Sequence, residues 1–206
     1  MAIRNDREYR NLGQLELRAE QLDDGEKRYI VEGYASTFEP YKLLTIDGVD
    51  YYERIEPTAF DGADMSDVVF LRDHEGRVLA RTKNETVQLS VDAIGLFTRT
   101  DLGRTSASRD MFEDIEARNY TQMSFSFTVD QDDYEEATHT RVIKAFRKVY
   151  DISAVAFPAN PGTDIGVSMR DYFDGVIEAE KAERLEAERR AQMIEKLKLR
   201  IKLERN

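Results

Sequence analysis

The chain has 206 residues, is 41% hydrophobic and carries a formal net charge of −11 at pH 7. That length can bury one core with room for an appendage. The absence of cysteine excludes disulfides, cysteine nucleophiles and thiolate metal sites, and two histidines leave a zinc site dependent on carboxylate ligands. The acidic balance argues against nucleic acid as the main partner, and no apolar run approaches the roughly 20 residues of a membrane span. We therefore expect a globular protein that needs no cofactor or metal and binds neither nucleic acid nor membrane.

Short strands separated by turns are predicted through the first half of the chain. Gly33 lies inside a run of β-branched and aromatic residues, where it predicts a bulge. Asp47 and Gly48 form a turn signal, and Pro57 favours the first turn of a short helix ending at Phe60. The predicted strands in this half are residues 28–35, 51–55, 68–74, 86–92 and 96–101.

The hydrophobic period changes twice in the second half. Apolar residues recur every four positions over residues 105–119, which predicts an amphipathic helix. Residues 121–129 alternate, with Met123, Phe125 and Phe127 on one face and polar residues, Ser124 among them, on the other. Residues 130–140 are acidic and predict a solvated hairpin loop, since they lack the central glycine of a calcium loop. Two further strands are predicted over 141–146 and 149–157.

The composition changes after Gly175. Residues 176–206 contain nine basic and seven acidic residues with no glycine or proline, which predicts a long helix, although its apolar residues define no clear coiled-coil seam. Many short strands at close spacing favour a closed or nearly closed β-barrel. The predicted fold is thus mainly β with a few helices, organised as an N-terminal segment with a first strand (1–27), a barrel (28–170) and a charged helical tail (176–206).

Three residues are candidates for hydrolytic chemistry. His74 ends an apolar run, whereas the other histidine, His139, lies in the acidic segment. Ser124 is a nucleophile candidate on the polar face of its strand, and the alternative is a serine hydrogen-bonded to a neighbour. Asp151 opens an otherwise apolar strand and needs a partner there. A histidine ring would serve and would be oriented by it, and the alternative is an ion pair with Arg147 or Lys148.

The order and spacing of several short segments resemble the prohead maturation proteases of tailed phages, the family typified by phage HK97, which is similar in fold to herpesvirus capsid assembly proteases. The resemblance runs from about residue 31 to residue 160. The segments that carry it are Val31-Glu-Gly-Tyr-Ala35, Ile55-Glu-Pro-Thr-Ala-Phe60, Leu71-Arg-Asp-His74, Gly76-Arg-Val-Leu-Ala-Arg81, Gly95-Leu96, Arg109-Asp110 to Ile115, Met123-Ser-Phe-Ser-Phe127 and Tyr150-Asp-Ile-Ser-Ala-Val-Ala-Phe-Pro-Ala-Asn160.

The resemblance implies a barrel of the herpesvirus-protease type and assigns roles to the three candidates. Its base falls on His74, its serine nucleophile on Ser124 and its acid on Asp151. The chain departs from the family in having Ser126 where glycine is usual and aspartate where glutamate is often found. By analogy with the herpesvirus enzymes, Ala159 and Asn160 are the candidates for the oxyanion hole.

The implied function is that of a serine endopeptidase of phage prohead maturation. Its substrates would be the scaffolding protein, or the scaffold-like arm of the major capsid protein, and the protease itself. It would act inside the immature capsid in the host cytoplasm, and a homo-oligomer is left open. The alternative is a protease-like protein without activity that serves as a scaffold or assembly factor of the prohead.

Overall fold

A computed structural model describes the backbone of residues 7–16, 18–23, 27–156 and 165–204. Residues 1–165 form one compact unit and residues 166–206 a second. The described part of the first unit contains eleven strands, one α-helix and three short 3₁₀-helices. The strands are β1 (Glu8–Glu16), β2 (Arg18–Asp23), β3 (Lys27–Thr37), β4 (Tyr41–Ile46), β5 (Val49–Ile55), β6 (Val69–Arg72), β7 (Glu75–Arg81), β8 (Val87–Val91), β9 (Gly95–Asp101), β10 (Gln122–Glu135) and β11 (Thr140–Val155).

The strands form two sheets. The larger has seven strands in the order β1-β10-β11-β5-β4, with β6 also beside β11 and β7 beside β6. The smaller has four strands in the order β2-β3-β9-β8. β11 is parallel to both β5 and β6, and the other strand pairs are antiparallel. The mainly β class is confirmed, whereas the described strands form open sheets, so closure into a barrel is not confirmed.

The core lies against β10, in which apolar and polar side chains alternate as predicted. Met123, Phe125 and Phe127 are fully buried, and Phe146 of β11 packs edge-on against the last two rings. The polar face of the same strand is also covered, because Ser124 and Ser126 are only 2% and 0% exposed. A strand that is buried on both faces requires its polar side chains to hydrogen-bond to neighbouring elements.

The segment predicted as an acidic loop over 130–140 is mostly strand, and this prediction is wrong. β10 continues to Glu135, a 3₁₀-helix (Glu136–Thr138) makes the turn, and β11 then runs without interruption to Val155. The acidic side chains are accommodated in the sheet because basic side chains of β11 form ion pairs with them, as in Asp130–Arg147 and Asp133–Lys144. The β10–β11 pairing changes register several times between Ser126 and Asp132.

Local signals in the sequence correspond well to turns and helix ends. Asp47 and Gly48 both have left-handed backbone, as a two-residue hairpin turn requires. A 3₁₀-helix spans Pro57–Phe60. The amphipathic helix, α1 (Ser106–Glu116), begins after Thr105, whose side chain accepts a hydrogen bond from the Ser108 amide. The bulge predicted at Gly33 lies instead between Tyr34 and Ser36 in the pairing with β9.

The second unit is dominated by one helix, α2 (Ile165–Glu204). It begins eleven residues before the predicted start at residue 176, so Gly175 does not interrupt it. Every side chain over residues 181–198 is exposed, including Leu185, Met193 and Leu197.

Candidate active site

Strands β6, β10 and β11 bring the three predicted site residues together in the larger sheet. Ser124 of β10 lies directly opposite Ser153 of β11. Asp151 is two positions from Ser153 on the same strand, so their side chains leave the same face. β6 runs parallel to residues 151–154 of β11, and His74 follows the end of β6. Sheet register therefore fixes where the three side chains meet.

His74 lies in a tight turn rather than at the end of a strand. β6 ends at Arg72, so the predicted strand over 68–74 ran two residues past its end. Asp73 and His74 have φ of 49° and 61°, and Arg72 pairs with Glu75, which is the geometry of a two-residue hairpin turn. Left-handed backbone is strained in residues other than glycine. Strand β11 stabilises this turn, since the Asp73 amide donates a hydrogen bond to the Ala154 carbonyl (3.0 Å).

The three side chains form one continuous chain of hydrogen bonds. Ser124 Oγ lies 2.6 Å from His74 Nε2, and His74 Nδ1 lies 2.6 Å from Asp151 Oδ1. A carboxylate can only accept, so Nδ1 carries the proton in this contact. Nε2 of the neutral ring is then free to accept the serine hydroxyl proton. The arrangement can move a proton from the serine to the histidine while the acid orients the ring.

Asp151 is fully buried and both of its oxygens are occupied. Oδ1 also accepts from Ser153 Oγ (2.8 Å), and Oδ2 accepts from Ser126 Oγ and from the Arg7 guanidinium. Burial opposes ionisation, yet the hydrogen bonds from His74, Ser126 and Ser153 hold the pKa of Asp151 below its ordinary value. The group is therefore a carboxylate at neutral pH.

Ser153 connects the acid to the histidine turn. Its hydroxyl donates to Asp151 and accepts from the His74 backbone amide (3.1 Å). It is fully buried. One side chain thus fixes the position of the carboxylate and of the turn that presents the imidazole.

The first strand contributes site contacts that sequence reasoning missed. β1 pairs antiparallel with β10, with Asn11 opposite Ser124. Ser124 Oγ lies 2.8 Å from the Arg10 carbonyl oxygen. The Tyr9 ring meets the His74 ring edge-on at 4.7 Å between centroids. The sequence around Glu8 is mostly polar, and no local signal in it indicates a partner more than 100 residues away.

A buried cluster of four charged groups anchors β1 to the body. Arg10 contacts Glu8 and Glu53, each at 2.5 Å, and Arg141 contacts the same two carboxylates at 2.7 and 2.9 Å. All four residues are at most 6% exposed. Burial raises the pKa of Glu8, but Arg10 and Arg141 outweigh that effect and lower it to about 2. Each charge in the cluster thus has an opposite partner, as buried charges require, and Arg141 also pairs with the partly exposed Asp132 at 2.6 Å.

The remaining predicted residues have other partners or lie outside the described residues. His139 is half-buried, with Nδ1 3.0 Å from the Tyr134 hydroxyl. Arg147 and Lys148, the alternative partners of Asp151, pair with Asp130 and Asp64. Ala159 and Asn160 lie outside the described residues.

Neither a metal cluster nor a membrane-spanning helix occurs in the described part of the chain. No group of three or more histidine, aspartate and glutamate side chains there could hold a metal ion. Within the same residues no helix is long and apolar enough to cross a membrane.

A cavity of about 250 Å³ lies beside the histidine turn, between β7 and α1. Its walls include Arg72, Glu75 and Arg77 from the hairpin and Asp110 and Asp114 from α1. None of the three hydrogen-bonded site residues lines it. The cavity is therefore distinct from the hydrogen-bonded chain of Ser124, His74 and Asp151.

Residues 14–175 match the caudovirus prohead serine protease family. The chain belongs to this family. The resemblance found in the sequence is thereby confirmed, and the protein is a serine peptidase of the phage prohead by family. No curated protein and no solved structure gives a significant match to this prohead protease.

Proposed function

We propose that this chain is a serine endopeptidase in which Ser124 is the nucleophile, His74 the base and Asp151 the orienting acid. The observation that carries the proposal is the unbroken series of contacts from Ser124 Oγ through His74 to Asp151, at 2.6 and 2.6 Å. A serine hydroxyl is a weak nucleophile until an adjacent base removes its proton. The family membership supports hydrolysis by serine.

The reaction follows from these contacts. His74 Nε2 takes the hydroxyl proton as Ser124 Oγ bonds to a peptide carbonyl carbon, and Asp151 stabilises the imidazolium. Collapse of the tetrahedral intermediate breaks the C–N bond, and the imidazolium returns the proton to the leaving amine. Water then enters by the same base catalysis and releases the new carboxylate from Ser124. Ala159 and Asn160 remain our proposed source of oxyanion stabilisation.

The proposed substrates are the scaffolding protein, or the scaffold-like arm of the major capsid protein, and the protease itself. This assignment rests on membership of a family of serine proteases that belong to the phage prohead. The site of action would be the immature shell in the host cytoplasm.

The test is labelling of Ser124 by a serine-directed phosphonate, together with mapping of new termini by mass spectrometry. We expect covalent modification at Ser124 in the parent chain and none in Ser124→Ala. Ser126→Ala is the matched control, because it removes a hydroxyl two positions along the same strand face, together with one hydrogen bond to Asp151, but keeps the nucleophile, and we expect it still to be labelled. A natively folded parent that is neither labelled nor cleaves would support the alternative role as an inactive scaffold or assembly factor.

A further inference from the structure

Ser124 is too enclosed in this structure for a peptide to reach it. The residue is 2% exposed and Asp151 is fully buried, while the His74 side chain is 15% exposed. Attack requires the carbonyl carbon to come within about 3.5 Å of the nucleophile. Some covering element must move before a substrate can bind.

Residues 7–10 are in contact with all three members of the proposed triad. The Arg10 carbonyl accepts from Ser124 Oγ at 2.8 Å, and the Tyr9 ring lies against the His74 ring. The Arg7 guanidinium pairs with Asp151. This segment lies before residue 14, where the match to the family begins.

The contacts of Arg10 and Arg7 both oppose catalysis. The Ser124 hydroxyl has one proton, and both His74 Nε2 (2.6 Å) and the Arg10 carbonyl oxygen (2.8 Å) lie within hydrogen-bonding distance, so the carbonyl competes with the base for it. The positive charge of Arg7 competes with a developing imidazolium for Asp151. The strand also fills the hydrogen-bonding edge of β10 beside the nucleophile, with residues 8–11 opposite residues 124–127.

We infer that the β10 edge over residues 124–127 is the binding site for an extended substrate peptide, and that β1 occupies it here as an internal, substrate-like strand. A peptide that adds to a sheet edge gains main-chain hydrogen bonds without requiring particular side chains. An antiparallel strand in this position brings a backbone carbonyl to Ser124, as Arg10 does. The inference rests on the proposed function, since it describes how that site is reached.

The way β1 is attached is compatible with its release. β1 is the terminal strand of its sheet among the described strands, and its pairing with β10 shifts register after Asn11. Its charges in the buried cluster are one acid and one base, Glu8 and Arg10. The body keeps Glu53 and Arg141, which contact each other at 2.9 Å. Departure of β1 therefore leaves a paired cluster rather than an uncompensated buried charge.

An engineered disulfide tests the inference, because the chain has no cysteine of its own. Tyr9 and Ser126 are directly opposite each other on β1 and β10, which is within the span of a disulfide. In Tyr9→Cys/Ser126→Cys, we expect the reduced form to label with the phosphonate at least about tenfold faster than the oxidised form. The matched control, Gln131→Cys/Ala145→Cys, links β10 to β11, which need not separate, and should label equally in both forms.

Equal labelling of the oxidised and reduced Tyr9/Ser126 variant would overturn the inference while leaving the proposed function intact. Loss of labelling in every form, including the control and the parent, would instead overturn the proposed function. A second variant covers the case in which Ser126→Cys itself abolishes reactivity. Arg7→Ala should label severalfold faster if β1 is a cover, and unchanged or slower labelling would show that β1 is a permanent part of the site.

Discussion

Two hairpin turns of this protein carry a histidine in left-handed backbone, yet their surroundings differ completely. At the β6–β7 turn, His74 has φ of 61° and contacts both Asp151 and Ser124. At the β10–β11 turn, His139 has φ of 49° and contacts the Tyr134 hydroxyl. The same residue type in nearly the same conformation is thus placed between an acid and a hydroxyl in one case and beside a phenol in the other. The neighbouring strands, rather than the turn, decide what chemistry each imidazole can perform.

Removing each histidine should give the largest contrast. His74→Ala should lower the turnover rate by about a million-fold, because a triad base acts as a unit with its nucleophile. His139→Ala should cleave at close to the parent rate. Cleavage of purified scaffolding or capsid protein, followed by mass spectrometry of the new termini, measures both. If the two variants were natively folded and lost activity equally, His74 and His139 would not differ in their importance for catalysis.

Removing the partner of each imidazole should give the next largest contrast. Asp151→Asn keeps the size of the side chain but removes the charge that we propose orients His74, and should lower the turnover rate by up to about ten-thousand-fold. Tyr134→Phe removes the hydroxyl beside His139 and should leave the rate unchanged. The same cleavage assay applies, and full activity in Asp151→Asn would contradict the role proposed for this acid.

Ser153 tests whether support of the histidine turn matters for rate. Ser153→Ala leaves the partly buried His74 amide without its acceptor and should lower the turnover rate roughly tenfold to hundredfold. Ser153→Thr retains the hydroxyl and should recover much of the loss. Nuclear magnetic resonance of the imidazole protons should show an altered His74 signal in the alanine variant beside an unchanged His139 signal. A rate loss with an unchanged His74 signal would indicate a purely structural effect.

Acidic pH should lower the free energy of unfolding, because it protonates Glu8 of β1, the strand that packs against His74. The pKa of Glu8 in the folded protein is about 2, below the ordinary 4.5. The stabilisation is therefore fully present above about pH 4.5 and is lost as the pH falls towards 2, to a total of up to about 3 kcal/mol. Denaturant unfolding at several pH values should show a shallower acid dependence for Glu8→Gln than for the parent chain. Glu136→Gln, at the exposed His139 turn, should retain the parent slope.

Local patterns predicted the parts of the site that depend on local geometry. The alternation over residues 122–128 separated Ser124 from Phe125 and Phe127, and the structure has the same division. The role of β1 could not be found this way, because the contact of Arg10 with Ser124 joins residues 114 positions apart. The acidic run after residue 130 was misassigned for a related reason. Its charges are balanced by bases on the returning strand, such as Lys144, and local acidity contains no information about that partner.

The changes of register in the β10–β11 hairpin have a practical consequence. They all lie between Ser126 and Asp132, on the distal side of the Ser124–Ser153 pairing. A bulge absorbs an extra residue by bending the strand locally. Length changes at the exposed turn around Ala137 are thereby separated from the paired serines. That turn is accordingly a suitable place to insert a fluorescent peptide tag, with which the protease could be followed inside assembling shells while its chemistry is left undisturbed.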